Sequence, residues 1–180
     1  ETYKILSTIS GIKLLRHSNN MGKGAAIRTA LKHASGEVII IQDADLEYSP
    51  NDYSKLLTPI EKGHAKVVYG SRFKGAGKFT PLSLIANRVL TWLTNFLYSA
   101  KLTDMETCYK SIKRDIINSL DLKSNRFEIE PELTAKLLLK GYKILEVPIS
   151  YYSRTRFKKI GPRDGIHAIF TLIQWHWLAK

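Results

Sequence analysis

Three carboxylates, Asp43, Asp45 and Glu47, follow the most hydrophobic run of the sequence at spacing i, i+2, i+4. In extended backbone that spacing places all three on one side of the chain, where their mutual repulsion asks for a cation. Hard divalent ions such as Mg2+ or Mn2+ take one or two carboxylates and complete their shell with water and substrate phosphates. The spacing therefore predicts a metal site at Asp43, Asp45 and Glu47 that shares its ion with a phosphate-bearing substrate. A solvated acidic turn fits the same spacing and is the plainer reading.

Basic groups that could meet such a substrate lie in three places. Asn20-Met21-Gly22-Lys23-Gly24 opens a helical pattern with glycines and a lysine, so backbone N–H groups and the positive helix end could face a phosphate; a simple turn fits equally well. Arg72 ends a predicted strand in Gly70-Ser71-Arg72, where a guanidinium could hold a diphosphate bidentately or simply stand in solvent. Arg154, Arg156, Lys158, Lys159 and Arg163 crowd one loop-like stretch, the composition of a segment that could close over phosphates or remain solvated.

The elements that must position these groups follow an alternating order. Ile12–His17 is a short extended candidate, and the period turns helical after Gly22 at Ala26, Ile27, Ala30 and Leu31. Glu37–Gln42 is a continuous β-branched run suited to a central parallel strand covered on both faces. A helix from Pro50 to about Glu61, a strand at Ala65–Tyr69, a loop at Lys74–Lys78 and a long helix from Pro81 to Ala100 come next. Helices near Arg114–Leu120 and Pro131–Lys140, a strand at Tyr142–Val147 and a strongly apolar helix from Asp164 to Ala179 complete the chain. The rhythm predicts an α/β fold, a mostly parallel sheet flanked by helices, closed by a C-terminal amphipathic helix that either packs deeply or lies on a membrane.

Composition narrows the class. Of 180 residues, 44% are hydrophobic and 24% charged, the mix of one globular domain with a real core. Twenty-eight Lys and Arg against 16 Asp and Glu give a net charge of +12, a field that concentrates phosphates, acidic lipid head groups or nucleic acid. Nucleic acid is set aside because the basic residues form neither a recognition helix nor an aromatic-studded sheet, and acids stand at the proposed functional edge. The single cysteine, Cys108, excludes an internal disulfide and suits a reducing compartment. No stretch reaches the ~20 apolar residues of a spanning helix and the first residues lack a signal-peptide layout, so the expectation is a chain that is soluble or peripheral to a membrane.

Six ordered segments, Asn20–Gly24 (NMGKG), Ile41–Tyr48 (IQDADLEY), Val68–Phe73 (VYGSRF), Leu102–Lys110 (LTDMETCYK), Ile129–Lys136 (IEPELTAK) and Tyr151–Thr155 (YYSRT), give the sequence a specific likeness. The chain resembles family 2, GT-A-fold (Rossmann-like) glycosyltransferases of the dolichol-phosphate mannosyltransferase type and their bacterial polyprenyl-phosphate relatives. The resemblance implies transfer of a hexose, mannose or glucose, from GDP-mannose or UDP-glucose to a polyprenyl (dolichyl or undecaprenyl) phosphate by metal-assisted inverting displacement. It makes Asp45, Arg72 and Arg154 the catalytic set, and Gly22, Lys23, Gln42, Asp43, Asp45 and Arg72 the nucleotide-sugar contacts. It gives the lipid phosphate to Arg154, Lys159 and Arg163, and Mg2+ or Mn2+ to Asp43, Asp45 and Glu47. Lys158 to Gly165 reads KKIGPRDG where the family carries KKIGWKDG-like residues, so Pro162 is a departure.

The resemblance also implies a peripheral place on the cytoplasmic face of a membrane. Family members open with a strand bearing a PxYNE-like motif and a second strand whose acids grip the base, and residues 1 to 8 resemble the helix that follows them. Residues 1–180 are thus expected to form a single catalytic domain, N-terminally incomplete relative to the family. A catalytically inactive relative that binds lipid phosphate or a partner is the alternative.

Overall fold

A computed structural model describes residues 1–153 and 161–178. In chain order the elements are α1 (Thr2–Leu6), α2 (Lys23–Leu31), β1 (Val38–Ile41), a 3-10 turn (Pro50–Asp52) leading into α3 (Tyr53–Glu61), β2 (Val67–Ser71), β3 (Gly77–Lys78) and α4 (Pro81–Tyr98). They continue with β4 (Lys110–Lys113), α5 (Arg114–Asn118), α6 (Ile129–Leu139), β5 (Ile144–Pro148), β6 (Tyr151–Tyr152) and α7 (Pro162–Leu178).

Four strands form the main sheet in the order β1-β4-β2-β5. β4 runs antiparallel to both β1 and β2, and β2 pairs β5 in parallel. Three strands therefore point the same way, as an α/β reading requires, and β4 is threaded against them to make the sheet mixed. β1 is consequently not the central strand its β-branched run predicts; among the described residues it pairs only β4 and stands at the sheet edge. Such a run reports coverage of the two faces, not of the two edges, and Val38, Ile39 and Ile40 do pack against the core. The extended candidate Ile12–His17 forms no strand, because its backbone finds no ladder partner among the described residues.

β4 itself is absent from the sequence reading. Its Lys110 and Ser111 look like surface residues, yet both are fully buried, and Ile112 between β1 and β2 is the strand's contribution to the core. A second, two-stranded parallel sheet pairs Gly77 with Tyr151 and Lys78 with Tyr152. It ties the segment after β2 to the chain's last strand.

The main core lies where α3 and α6 cover the sheet, with Leu56, Val67, Val68, Tyr69, Ile112, Leu133 and Leu137 at 0% exposure. Burying each such aliphatic side chain contributes roughly 1.5–3 kcal/mol. A smaller cluster, Leu90, Leu102, Met105, Ala168 and Leu172, joins α4 to α7. α7 therefore packs through Ala168 and Leu172 while Ile166, Phe170 and Trp177 stay exposed. No helix of the described residues is long and apolar enough to cross a membrane.

Candidate active site

The acidic segment begins where β1 ends, and tyrosines set its first residue. The Gln42 carboxamide oxygen accepts hydrogen bonds from the hydroxyls of Tyr53 and Tyr109. One residue on, Asp43 Oδ2 meets Lys23 Nζ at 2.9 Å. The chain then bends instead of staying extended: Leu46 takes a left-handed φ of 63° and leaves its side chain 90% exposed. A branched residue there is strained by about 1–2 kcal/mol.

This bend corrects the same-side arrangement expected of Asp43, Asp45 and Glu47. Asp45 Oδ1 accepts the Glu47 N–H at 3.2 Å, and Glu47 Oε2 accepts the Tyr151 hydroxyl at 2.9 Å. Among the described residues no three His, Cys, Asp or Glu side chains converge on one point. Glu47 thus faces β6, and Asp43 and Asp45 remain as the pair of part-exposed oxygen donors at the strand end.

Behind Asp43 lies a buried charge network. Lys23 also reaches Glu130 Oε1 at 2.7 Å, and Glu130 Oε2 pairs with Lys110, whose ammonium additionally donates to the Thr107 carbonyl. Lys110 is wholly buried and Glu130 is 5% exposed. Burial alone would lower the Lys23 ammonium, but Glu130 and Asp43 hold it well above its ordinary value. Burial likewise works against the Glu130 carboxylate, yet Lys110 and Lys23 keep it below the usual carboxylate range. Lys23 and Glu130 therefore stay charged near neutral pH.

A second buried pair organises the end of β2. Arg72 donates from Nε to Asp104 Oδ2 at 2.7 Å, and from Nη2 to Asp104 Oδ1 at 2.6 Å and to Asn87 Oδ1 at 3.1 Å. Tyr151 and Phe79 flank the guanidinium, 5.1 and 5.6 Å from ring centre to Cζ. Arg72 is only 6% exposed and Asp104 is 0% exposed, so the arginine reads as a clamp on the Thr103–Glu106 segment. Glu146 caps that segment by accepting the N–H groups of Thr103 and Asp104.

Glu106, next along, has one carboxylate oxygen buried without a hydrogen-bond partner. Burial first, and then the Glu130 charge, push its carboxyl up to about 7 against the pull of Lys110 and Arg72. The sign follows from the unfolded chain ionising first. Stability is fully present below the ordinary carboxyl value and is lost as pH rises from there toward 7. Urea titrations are expected to show that slope in the wild type and a flatter one in Glu106→Gln. Cys108 is buried and burial raises its thiol, so it is no thiolate nucleophile at neutral pH.

The glycines of NMGKG serve packing. The N–H groups of Gly24 and Ala25 donate to the carbonyls of Arg126 and Asn125 at 3.2 and 2.9 Å, so these donors of the α2 N-terminus are taken by protein and the phosphate-cradle reading loses them. A Cβ on Gly24 would sit 2.3 Å from the Ser124 carbonyl oxygen. Gly→Ala inside a helix ordinarily stabilises by about 1 kcal/mol; here the backbone clash reverses the sign. Gly24→Ala is expected to cost about 1–3 kcal/mol in urea unfolding.

The remaining candidates divide simply. Gly22 adopts a φ of 93° and lines, with Asn20 and Met21, a surface cavity of about 470 Å3 that also borders Leu15 and His17. Arg163 is exposed on the first turn of α7, and Arg154 and Lys159 lie outside the described residues. The residues the sequence reading undervalued are Asp104, Glu106, Lys110 and Glu130. All four stand in segments of the likeness, and only a partner distant in sequence distinguishes a buried charge from a solvated one.

All six segments thus supply members of one connected site, the fifth through Glu130 and the sixth through Tyr151. Comparison with known proteins identifies the family. Residues 1–121 match Glycosyl transferase family 2. Glycosyltransferase AglJ of Haloferax volcanii is 30% identical over 136 residues, covering 74% of this chain and 45% of that protein. A dolichyl-phosphate hexose transferase of the same organism is 30% identical over 149 residues, covering 82% of this chain and 64% of that protein. The chain thus spans roughly half to two thirds of these relatives. Among solved structures, Mycobacterium tuberculosis glucosyl-3-phosphoglycerate synthase in complex with Mg2+ and uridine-diphosphate superposes with a TM-score of 0.68 at 18% identity, covering 92% of this chain and 57% of that one. The same enzyme with Mn2+, UDP-glucose and phosphoglyceric acid gives 0.63 at 16% identity, covering 92% of this chain and 57% of that one. By family match and by fold, the chain belongs to glycosyltransferase family 2 and is built on the GT-A α/β architecture.

Proposed function

We propose that this chain is the catalytic core of an enzyme that moves a hexose from a nucleotide-sugar to a polyprenyl phosphate. The observation that carries the reading is the position of Asp43 and Asp45 at the end of β1, with Asp43 held through Lys23 by the buried Glu130. That end of a strand is where open α/β sheets bind ligands. The lipid acceptor is supported by the dolichyl-phosphate hexose transferase relative, and a metal-dependent donor by the structural neighbour holding Mn2+ and UDP-glucose.

Asp43 and Asp45 fit Mg2+ or Mn2+: both are hard oxygen donors, part-exposed, and two carboxylates suffice when substrate phosphates complete the shell. Such an ion supplies neutralisation of the departing diphosphate. Glu47, turned to Tyr151, is left to position β6. Lys23 fixes the Asp43 carboxylate and adds positive potential beside it. Arg72 positions Asp104 and the segment bearing Glu106. The lipid phosphate is given to Arg163, Arg154 and Lys159, on a chain peripheral to the cytoplasmic face of a membrane. A phosphomonoester, with a second pKa near 6, is already the nucleophile at neutral pH, so in-line attack on the anomeric carbon needs no strong base.

The test supplies radiolabelled UDP-glucose or GDP-mannose with Mn2+ and undecaprenyl phosphate in detergent. Label is expected to pass into the organic extract from one of the two donors, and to fall at least about 100-fold in Asp45→Ala. Label that stays in the aqueous phase with both donors counts against the reading.

A further inference from the structure

We propose that the cleft between the C-terminal half of α6 and the end of α7 binds a small aromatic anion, a flat ring system bearing one carboxylate, sulfonate or phosphate. The cleft has a volume of about 350 Å3, within the size range of small-ligand sites. None of its lining residues belongs to the donor site.

Its apolar wall is the Trp175 indole together with Leu120, Leu139 and Leu178. Lys136 holds the indole in place, its Nζ lying 4.0 Å from the ring centre. That ammonium is itself built in. Lys136 is 7% exposed, and it meets Glu132 Oε1 and the Asp121 carbonyl, both at 2.6 Å. Glu132 also accepts the N–H groups of Lys123 and Ser124, at 2.9 and 2.7 Å. Asp121 brings its carbonyl to Lys136 from a left-handed φ of 46°. Non-glycine residues seldom adopt that conformation, and strain of this kind clusters at ligand sites.

The charge of the ligand follows from the rim. Lys136 is already neutralised by Glu132, which leaves Lys123 and Lys140, both exposed, to face an incoming group. Lys123 lies 3.6 Å from Asp121, with the two side chains 69% and 83% exposed, a solvated pair that an anion displaces at little cost. Lys140 donates to the Ser119 carbonyl, a neutral acceptor, at 2.9 Å. Two cations thus stand against one loosely held acid, beside an aromatic wall on which a second ring stacks favourably.

The test titrates naphthalene carboxylate into the isotope-labelled chain and follows the tryptophan indole N–H signals, that of Trp175 being assigned with Trp175→Phe. Binding is expected with a dissociation constant of about 1 mM or tighter, and it moves the Trp175 signal while that of Trp92 on α4 stays. Naphthol, uncharged at neutral pH, is expected to bind at least about threefold more weakly, and naphthylmethylammonium at least about tenfold. The double variant Lys123→Glu/Lys140→Glu is expected to weaken the carboxylate at least about tenfold, with circular dichroism and melting unchanged because both side chains are exposed. Equal binding of the three probes, a Trp92 signal that moves as far as that of Trp175, wild-type affinity in the double variant, or no binding at millimolar concentration each overturns the proposal. The titration contains neither metal nor nucleotide-sugar, so its outcome is read separately from that of the donor site.

Discussion

Glu130→Ala is expected to remove about 3–5 kcal/mol of stability, measured as a lower urea midpoint with little change in slope. The alanine leaves two ammonium groups, Lys110 at 0% and Lys23 at 15% exposure, facing each other without the carboxylate between them. A surface ion pair would cost at most ~1 kcal/mol, so the magnitude itself reports burial. Glu130→Gln keeps the shape but not the charge and is expected to fall between the two. The pH dependence has a definite sign. The folded carboxyl lies below its unfolded value, so the contribution is complete above the ordinary carboxylate range and is lost as pH falls through the folded value. That acid slope is expected to be shallower in Glu130→Gln. Because Lys23 then has only Asp43 to pair with, metal-dependent donor binding is expected to weaken in the same variant.

Asp104→Ala is expected to cost a similar ~3–5 kcal/mol. Asp104 accepts the Arg72 backbone N–H at 2.9 Å as well as two guanidinium bonds, and both partners are buried. Arg72 is expected to stay charged regardless, because a guanidinium is not deprotonated in proteins near neutral pH. The charge is therefore stranded rather than neutralised. The double variant Arg72→Met/Asp104→Leu, which removes both charges and restores apolar volume, is expected to recover most of the loss. If Arg72 instead faced solvent, Asp104→Ala would cost well under 1 kcal/mol and the double variant would gain nothing over it.

Much of this architecture was legible because its periods are clean. Val38–Ile41 and Val67–Ser71 are β-branched, aromatic or small, and α4 opens with proline at its first position. β4 was not legible, since a strand whose first two residues are a lysine and a serine shows its burial only through Glu130, supplied by a helix that comes later in the chain. The same limit hid Asp104, which in the sequence is one acid among several and in the fold is the sole carboxylate on a buried guanidinium among the described residues. Asp43 and Lys23 could be read as neighbours of a phosphate site from their motifs. The bend at Leu46 could not, because nothing about a leucine announces a left-handed φ. That bend is why Glu47 leaves the carboxylate pair for Tyr151.

The central claim, a metal-dependent donor site built on Asp43 and Asp45, is tested most directly by calorimetric titration of UDP-glucose and of GDP-mannose into the chain, with and without Mn2+. The account predicts binding of one nucleotide-sugar that needs Mn2+ and is abolished in Asp45→Ala, with the fold of that variant intact by circular dichroism. Binding that is indifferent to Mn2+ and to Asp45→Ala, or the absence of binding with either donor, would contradict it.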